Sequence, residues 1–172
     1  MHFGRPFQHA PLHSAGIMPV HQSKILLGRE KRGWSAFGGK CEEGETPSVT
    51  AIREFREETA GVFENLILDM TTSAVVKTVT PKGNPFYLYL IEFPSADGEV
   101  NREFQKKRNL TKNKREKEKQ KIEWFEISDV KNLRLSASFA ADWQMVKSEI
   151  ERKKKGKGKG ACTEDEDAVP SN

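Results

Sequence analysis

An α/β domain is the fold class this sequence predicts, and three observations predict it. Short runs rich in branched and aromatic residues, the composition of buried strands, recur along the chain. Two stretches, one opening at Thr46-Pro47 and one over 137–152, carry helix signals instead. The length of 172 residues suits one domain with a substantial core plus extensions. The expected divisions are a loose arm at 1–13, a folded domain at 14–152 and a disordered, charge-blocked tail at 153–172.

The arm has two prolines and no periodicity. Its His2, His9 and His13, with His21, lack metal-ligand spacing and read as ordinary polar residues. Ser14 to Val20 and Lys24 to Leu27 read as strands joined by the polar turn His21-Gln22-Ser23. Gly28 to Gly33 reads as a polar loop, and Trp34-Ser35-Ala36-Phe37 as an apolar segment running into Gly38-Gly39. Adjacent glycines let a backbone come close to a ligand. Thr46 is a suitable N-cap, and Pro47 fits a first helical turn, where its missing N–H costs nothing. Val49, Ile52 and Phe55 are expected to face the core. Leu66 to Leu68 and Ala74 to Val79 read as strands, Pro81 to Pro85 as a turn, and Phe86 to Phe93 as a buried strand closing a hairpin. Lys121 to Ile127 is strand-like, and Ser128-Asp129-Val130 begins a helix or turn. The last helix carries Phe139, Trp143, Met145, Val146 and Ile150, with Trp143 in the core rather than stacked on a substrate.

The chemistry concentrates between Gly39 and Gly61. Glu54, Glu57 and Glu58 stand at i, i+3 and i+4, so their carboxylates share one helical face. Three like charges that close raise one another's pKa unless a cation sits among them. A site for a hard, oxygen-seeking divalent ion explains the cluster, with Mg²⁺ or Mn²⁺ the usual choices. A solvated acidic face is the plain alternative for a lone E-x-x-E-E. The wider register argues against it: five residues separate Gly39 from Glu45, and seven separate Glu45 from Arg53. Chance would produce the whole pattern on the order of a few times per million chains of this size.

Gly39, Glu45, Arg53, Glu54, Phe55, Glu57 and Glu58 resemble the box of the Nudix family, G-x5-E-x7-R-E-U-x-E-E-x-G-U with U bulky and apolar. Ala60 stands where the family has Gly, and Gly61 where it has U, which reads as a one-residue lengthening after the helix. The resemblance implies an α/β/α sandwich, a mixed central sheet with the box helix on one face and the C-terminal helix on the other. It implies that Glu54, Glu57, Glu58 and the carbonyl of Gly38 hold Mg²⁺ or Mn²⁺, and that Arg53 braces the loop through Glu45. Trp34, Gly39 and Lys40 are the candidate substrate contacts. The implied reaction is water attack on phosphorus in a nucleoside diphosphate derivative. Either Glu54 or a glutamate outside the box, among Glu92, Glu99, Glu116 and Glu118, takes the proton from water. A module that binds nucleotide or RNA without cleaving it is the non-enzymatic alternative.

Ile25 to Lys40 resembles the approach to the box in MutT-like enzymes that sanitise oxidised purine nucleoside triphosphates. The adjacent aspartates with which one such enzyme reads the base have no match; only Asp142 lies in that region. Pro47-Ser48-Val49 and Glu123-Trp124-Phe125 resemble diphosphoinositol polyphosphate hydrolases instead. Dinucleoside polyphosphates and RNA 5′ ends complete the implied range. Residues 101–121 hold ten basic and three acidic side chains, a net +7 against +4 for the whole chain. This insert reads as an exposed loop or polar helix, either a clamp for polyphosphate or RNA or a plain solvated surface. It lacks the interleaved aromatics on which single strands stack.

Cys41 and Cys162 lie far apart and suggest no disulfide framework, so a reducing, cytoplasmic setting is expected, with a nuclear one as the alternative. No secretory signal opens the chain, and no apolar run is long enough to span a bilayer, so a membrane partner is not expected.

Overall fold

The computed structural model describes residues 11–158. Seven strands form one mixed sheet: β1 (Ser14–His21), β2 (Lys24–Glu30), β3 (Gly33–Ser35), β4 (Phe37–Lys40), β5 (Ala74–Val79), β6 (Pro85–Glu92) and β7 (Lys121–Glu126). The helices are α1 (Pro47–Glu58), α2 (Val100–Leu110) and α3 (Ala137–Gly158), with single 3₁₀ segments at Arg115–Lys117 and Ile127–Asn132. The sheet runs β3-β2-β1-β6-β5. One edge of β1 is shared: its first half pairs with β4 and its far end with β2, both antiparallel. Its other edge pairs along its length with β6 in parallel. β7 extends β2, and β5 and β6 form the expected hairpin.

Strand alternation divides the interior into two layers. Ala15, Ile17, Leu26 and Ile91 face α1 and α2, where they meet Phe37, Ala51, Phe55 and Phe104. Met18, Ile25, Leu27, Leu88 and Leu90 face α3 and its Phe139, Trp143, Val146 and Ile150. Phe55 anchors the first layer, edge-on to Phe37 at 5.3 Å and stacked with Phe63 at 5.5 Å. No described helix is long and apolar enough to cross a membrane.

Several expectations are corrected. Gly28 to Glu30 continues β2 instead of entering a loop, because Arg29 and Glu30 pair with Trp34 and Gly33 of β3. Val49 is half exposed, whereas Thr50, Ala51, Phe55 and Glu58 form the buried stripe of α1. Successive steps of three drift around a helix, and steps of three and four alternate to stay on one face. Leu66 to Leu68 is not a strand, and Ile67 is 94% exposed. The insert takes the helical one of its two expected forms at α2, but it is far from wholly solvated: Phe104 is fully buried, and so, nearly, is Lys119. α3 runs six residues past its expected end at 152, while the tail beyond 158 and the first ten residues of the arm lie outside the described residues. His13, assigned to the arm, packs in and meets Thr50 Oγ1 through Nε2 at 3.1 Å.

The start of α1 follows its local signals. Thr46 caps it by accepting from the Val49 amide, with Pro47 in the first turn. Its exit is not a lengthening. Ala60 itself takes the left-handed conformation, φ 51°, and the Gly61 amide bonds back to the Arg56 carbonyl at 2.9 Å. An L side chain there costs about 1 kcal/mol against glycine. Ala60→Gly is therefore expected to raise stability by about 1 kcal/mol in urea unfolding; an unchanged midpoint would show that burial of the methyl offsets the strain.

Candidate active site

α1 lays its acidic face beside β4, and this contact builds the site. Glu58 is 3% exposed and accepts the Gly38 N–H at 2.7 Å. Burial pushes its pKa up to about 8, although Lys119 and the Gly38 amide pull the other way. Burial also raises Glu54, against the bond it accepts from Arg53. Gly39 makes room for that carboxylate: a Cβ at 39 would stand 2.5 Å from the Glu54 carboxyl carbon.

Arg53 joins four groups. Its Nε and Nη2 donate to the two oxygens of Glu45 at 2.6 and 3.0 Å. Nη2 also donates to the Lys40 carbonyl at 2.9 Å, and Nη1 to Glu54 at 2.8 Å and Glu57 at 3.4 Å. Glu45 accepts further bonds from the Thr50 hydroxyl and the Glu42 amide, both at 2.8 Å. The Arg53 guanidinium is the main reason its carboxyl falls to about 2. One cation thus ties the 40–45 loop to the helix that carries the carboxylates.

The basic insert closes the other side. Arg115 donates to Glu42 at 2.7 Å and lies 3.5 Å from Glu57. Lys119 Nζ donates to Ser35 Oγ at 2.7 Å and the Ala36 carbonyl at 3.3 Å, with Glu58 at 3.7 Å and Glu30 at 3.6 Å. Arg108 is taken up internally by the carbonyls of Lys117 and Lys119. Sequence reasoning missed Arg115 and Lys119, because a basic run gives no sign of which member is buried.

A cleft of about 500 Å³ opens over this floor. Gly38, Gly39, Glu58, Glu118 and Lys119 line one part, and Val76, Phe86, Leu88 and Phe139 wall another. Of the four candidate bases, only Glu118 lines it. Glu92 is paired with Lys157, Glu99 with Arg102, and Glu116 accepts from Asn113. Trp34 turns away, edge-on to Phe125 at 4.7 Å, and its neighbour Ser35 faces the cleft instead. Lys40 contributes its carbonyl to Arg53, and its side chain is exposed.

Among the described residues, no three acidic, His or Cys side chains converge as a ready-made metal cage. Glu54, Glu57 and Glu58 are turned instead to Arg53, Arg115 and Lys119. The donor set still suits a hard divalent ion: carboxylate oxygens on one helical face, Glu54 and Glu58 raised by burial, and glycine backbone alongside.

A model of the NUDIX domain matches residues 11–146. An uncharacterized Nudix hydrolase of Bacillus subtilis (strain 168) is 27% identical over 118 residues, 68% of this chain and 66% of the relative. An oxidized purine nucleoside triphosphate hydrolase of Danio rerio is 38% identical over 55 residues, 29% of this chain and 35% of the relative. The matched part thus spans no more than 66% of these curated relatives. Among solved structures, MutT of Aliivibrio salmonicida and Vibrio cholerae is similar with TM-score 0.51 and 23% identity, covering 81% of this chain and 96% of that one. A bifunctional NMN adenylyltransferase/ADP ribose pyrophosphatase of Francisella tularensis reaches TM-score 0.54 at 18% identity, covering 86% and 43%. At such identities the structural likeness concerns the fold.

Proposed function

The chain belongs to the Nudix family, and from that membership we propose that it is a divalent-metal-dependent hydrolase of the diphosphate linkage in a nucleotide. The observation that carries the reading is the placement of Glu58 on the Gly38 amide and of Glu54 against Gly39, with Glu57 on the same face of α1, beside a cleft that Glu58 and Glu118 line. Glu54, Glu57 and Glu58, with the Gly38 carbonyl, would hold Mg²⁺ or Mn²⁺. Bound there, the ion supplies neutralisation of the diphosphate oxygens and activation of water.

The chain's own residues do the rest. Arg53 holds the carboxylate helix and the 40–45 loop in one geometry, so that the floor is set before substrate arrives. Glu118 takes the proton of the attacking water. The water oxygen forms a bond to phosphorus, the bridging P–O bond breaks, and its electron pair leaves with the departing phosphate. Lys119 keeps positive charge beside Glu58 and away from solvent.

The substrate class is a nucleoside diphosphate derivative. Oxidised purine nucleoside triphosphates head the panel to be tried, since a relative of that name shares 38% identity over its matched segment. Dinucleoside polyphosphates, ADP-ribose, capped RNA and diphosphoinositols complete it. Phosphate or nucleotide release should be seen with at least one substrate and Mg²⁺ or Mn²⁺; silence across the panel with both ions favours the binding module. On the substrate found, Glu118→Gln is expected to lower kcat about a hundredfold with KM nearly kept, the usual loss for a general base. A normal kcat would return that role to Glu54.

A further inference from the structure

We propose that the basic insert is a positioning device: through Asn101, Gln105 and Arg108, α2 holds the backbone of residues 117–122 so that Glu118 stands at the cleft. Arg108 is its main positioning residue. The catalytic part of this rests on the hydrolase reading above, whereas the hold on the segment is testable without turnover.

The device starts from helical spacing. Asn101, Gln105 and Arg108 stand at i, i+4 and i+7 and share one face of α2. Val100 and Phe104 are buried and fasten the helix to the first core layer. Each member of the polar face reaches main chain. Asn101 Oδ1 accepts the Ile122 N–H at 3.2 Å, and Gln105 Nε2 donates to the Gln120 carbonyl at 2.6 Å. Arg108 donates from Nε to the Lys119 carbonyl at 2.8 Å and from Nη2 to the Lys117 carbonyl at 3.2 Å. A guanidinium presents its donors in a rigid fork. The carbonyls on either side of Glu118 are therefore held in one geometry.

The segment is pinned on its other side as well. Gln120 N–H donates to the Arg29 carbonyl of β2 at 2.7 Å. Gly28 makes room for the Lys119 stem: a Cβ there would stand 2.8 Å from Lys119 Cδ. Lys119 is thus held at once by its carbonyl, on Arg108, and by its ammonium, on Ser35 and Ala36. Glu118 depends on this hold. It is exposed, and among the described residues no side chain bonds its carboxylate, so its aim is that of its backbone. It lines the cleft and also a neighbouring depression shared with Lys31, Arg32 and Lys117. A loosened segment would let the carboxylate turn to those cations and away from the attacking water.

The test compares Arg108→Met, which keeps the stem and loses both bonds, with Arg108→Lys, which keeps the charge without the fork. In Arg108→Met the amides of Glu118 and Gln120 are expected to exchange hydrogen about tenfold faster, with those of β1 and β6 unchanged. On the substrate found, kcat should fall about tenfold with KM kept within about twofold, the scale expected when a reacting group is slightly misplaced. In the Glu118→Gln background the same substitution should leave kcat where it is, because Arg108 acts through a carboxylate no longer there. Gln105→Met, which frees the Gln120 carbonyl alone, should show the same pattern at about threefold and serves if Arg108→Met does not fold. Unchanged exchange overturns the hold. A kcat loss that multiplies with Glu118→Gln overturns the positioning role, as does full kcat in Arg108→Lys, which makes charge the active property. A raised KM at normal kcat overturns it too and marks a clamp on substrate anions. If Glu118→Gln itself turns over normally, the positioning role falls and the hydrolase reading stands. A silent pyrophosphatase panel with faster exchange removes the hydrolase reading and leaves the hold.

Discussion

Glu58→Gln and Glu57→Gln are each expected to lower hydrolysis about a thousandfold, the scale seen when one centre of transition-state charge stabilisation is removed, while both variants stay folded. The two substitutions differ structurally, which makes the pair informative. Glu58 is buried, and its glutamine keeps an oxygen to accept the Gly38 amide. Glutamine also has no ionised form to desolvate in the burial that drives the Glu58 pKa to about 8. Against this, the Lys119 ammonium is left with Glu30 as its carboxylate neighbour, at 3.6 Å. The two effects oppose, so a small net change in unfolding free energy is expected. Glu57 is more exposed and shares Arg53 and Arg115 with other carboxylates, so its loss should hardly move stability. Turnover assays beside thermal unfolding separate the outcomes. Near-normal turnover in both variants removes the metal-site assignment, and calorimetry with Mg²⁺ and Mn²⁺ should then show no uptake.

Arg53→Ala is expected to cost about 3 kcal/mol of stability and about a hundredfold in activity. The guanidinium is mostly buried and bidentate to Glu45, and its removal leaves Glu45, Glu54 and Glu57 without the cation they share. The 40–45 loop loses its bond to α1 at the Lys40 carbonyl as well. The effect carries a pH signature. Glu45 has its pKa lowered from 4.5 to about 2, chiefly by the bond from Arg53. A depressed carboxylate contributes stability above its unfolded value and loses it as pH falls toward its folded value. The wild-type protein should therefore lose this contribution between about pH 4.5 and pH 2. Arg53→Ala, which lacks most of it already, should lose less. Urea unfolding of both proteins at pH 7 and pH 3 measures the difference. A gap just as wide at pH 3 would assign the loss to packing rather than to the Glu45 pair.

The carboxylate face of α1 was legible in the chain because it is a short-range property. Glu54, Glu57 and Glu58 are set side by side by helical geometry alone, and the N-cap at Thr46 and Pro47 acts over one turn. The box register brought Arg53 to Glu45 eight residues away, still within one loop and one helix. The two buried layers were implied by the resemblance alone, and strand alternation is what fills them, since side-chain period follows from the backbone. Trp34 shows where this reasoning stops. It was a candidate substrate contact, yet the pairing of β3 with β2 sends it to Phe125 and sends Ser35 to the cleft. Lys119 is the sharper case. Within a run of ten cations nothing local marks it, and it meets Ser35, 84 residues away, only once β7 has docked on β2 and α2 has buried Phe104. Choosing Glu118 from four candidate bases depended on the same docking. Spacing along one helix settles which groups stand together; which of many equivalent charges enters the cleft is settled by burial between elements distant in sequence, where desolvation tolerates only the partnered one.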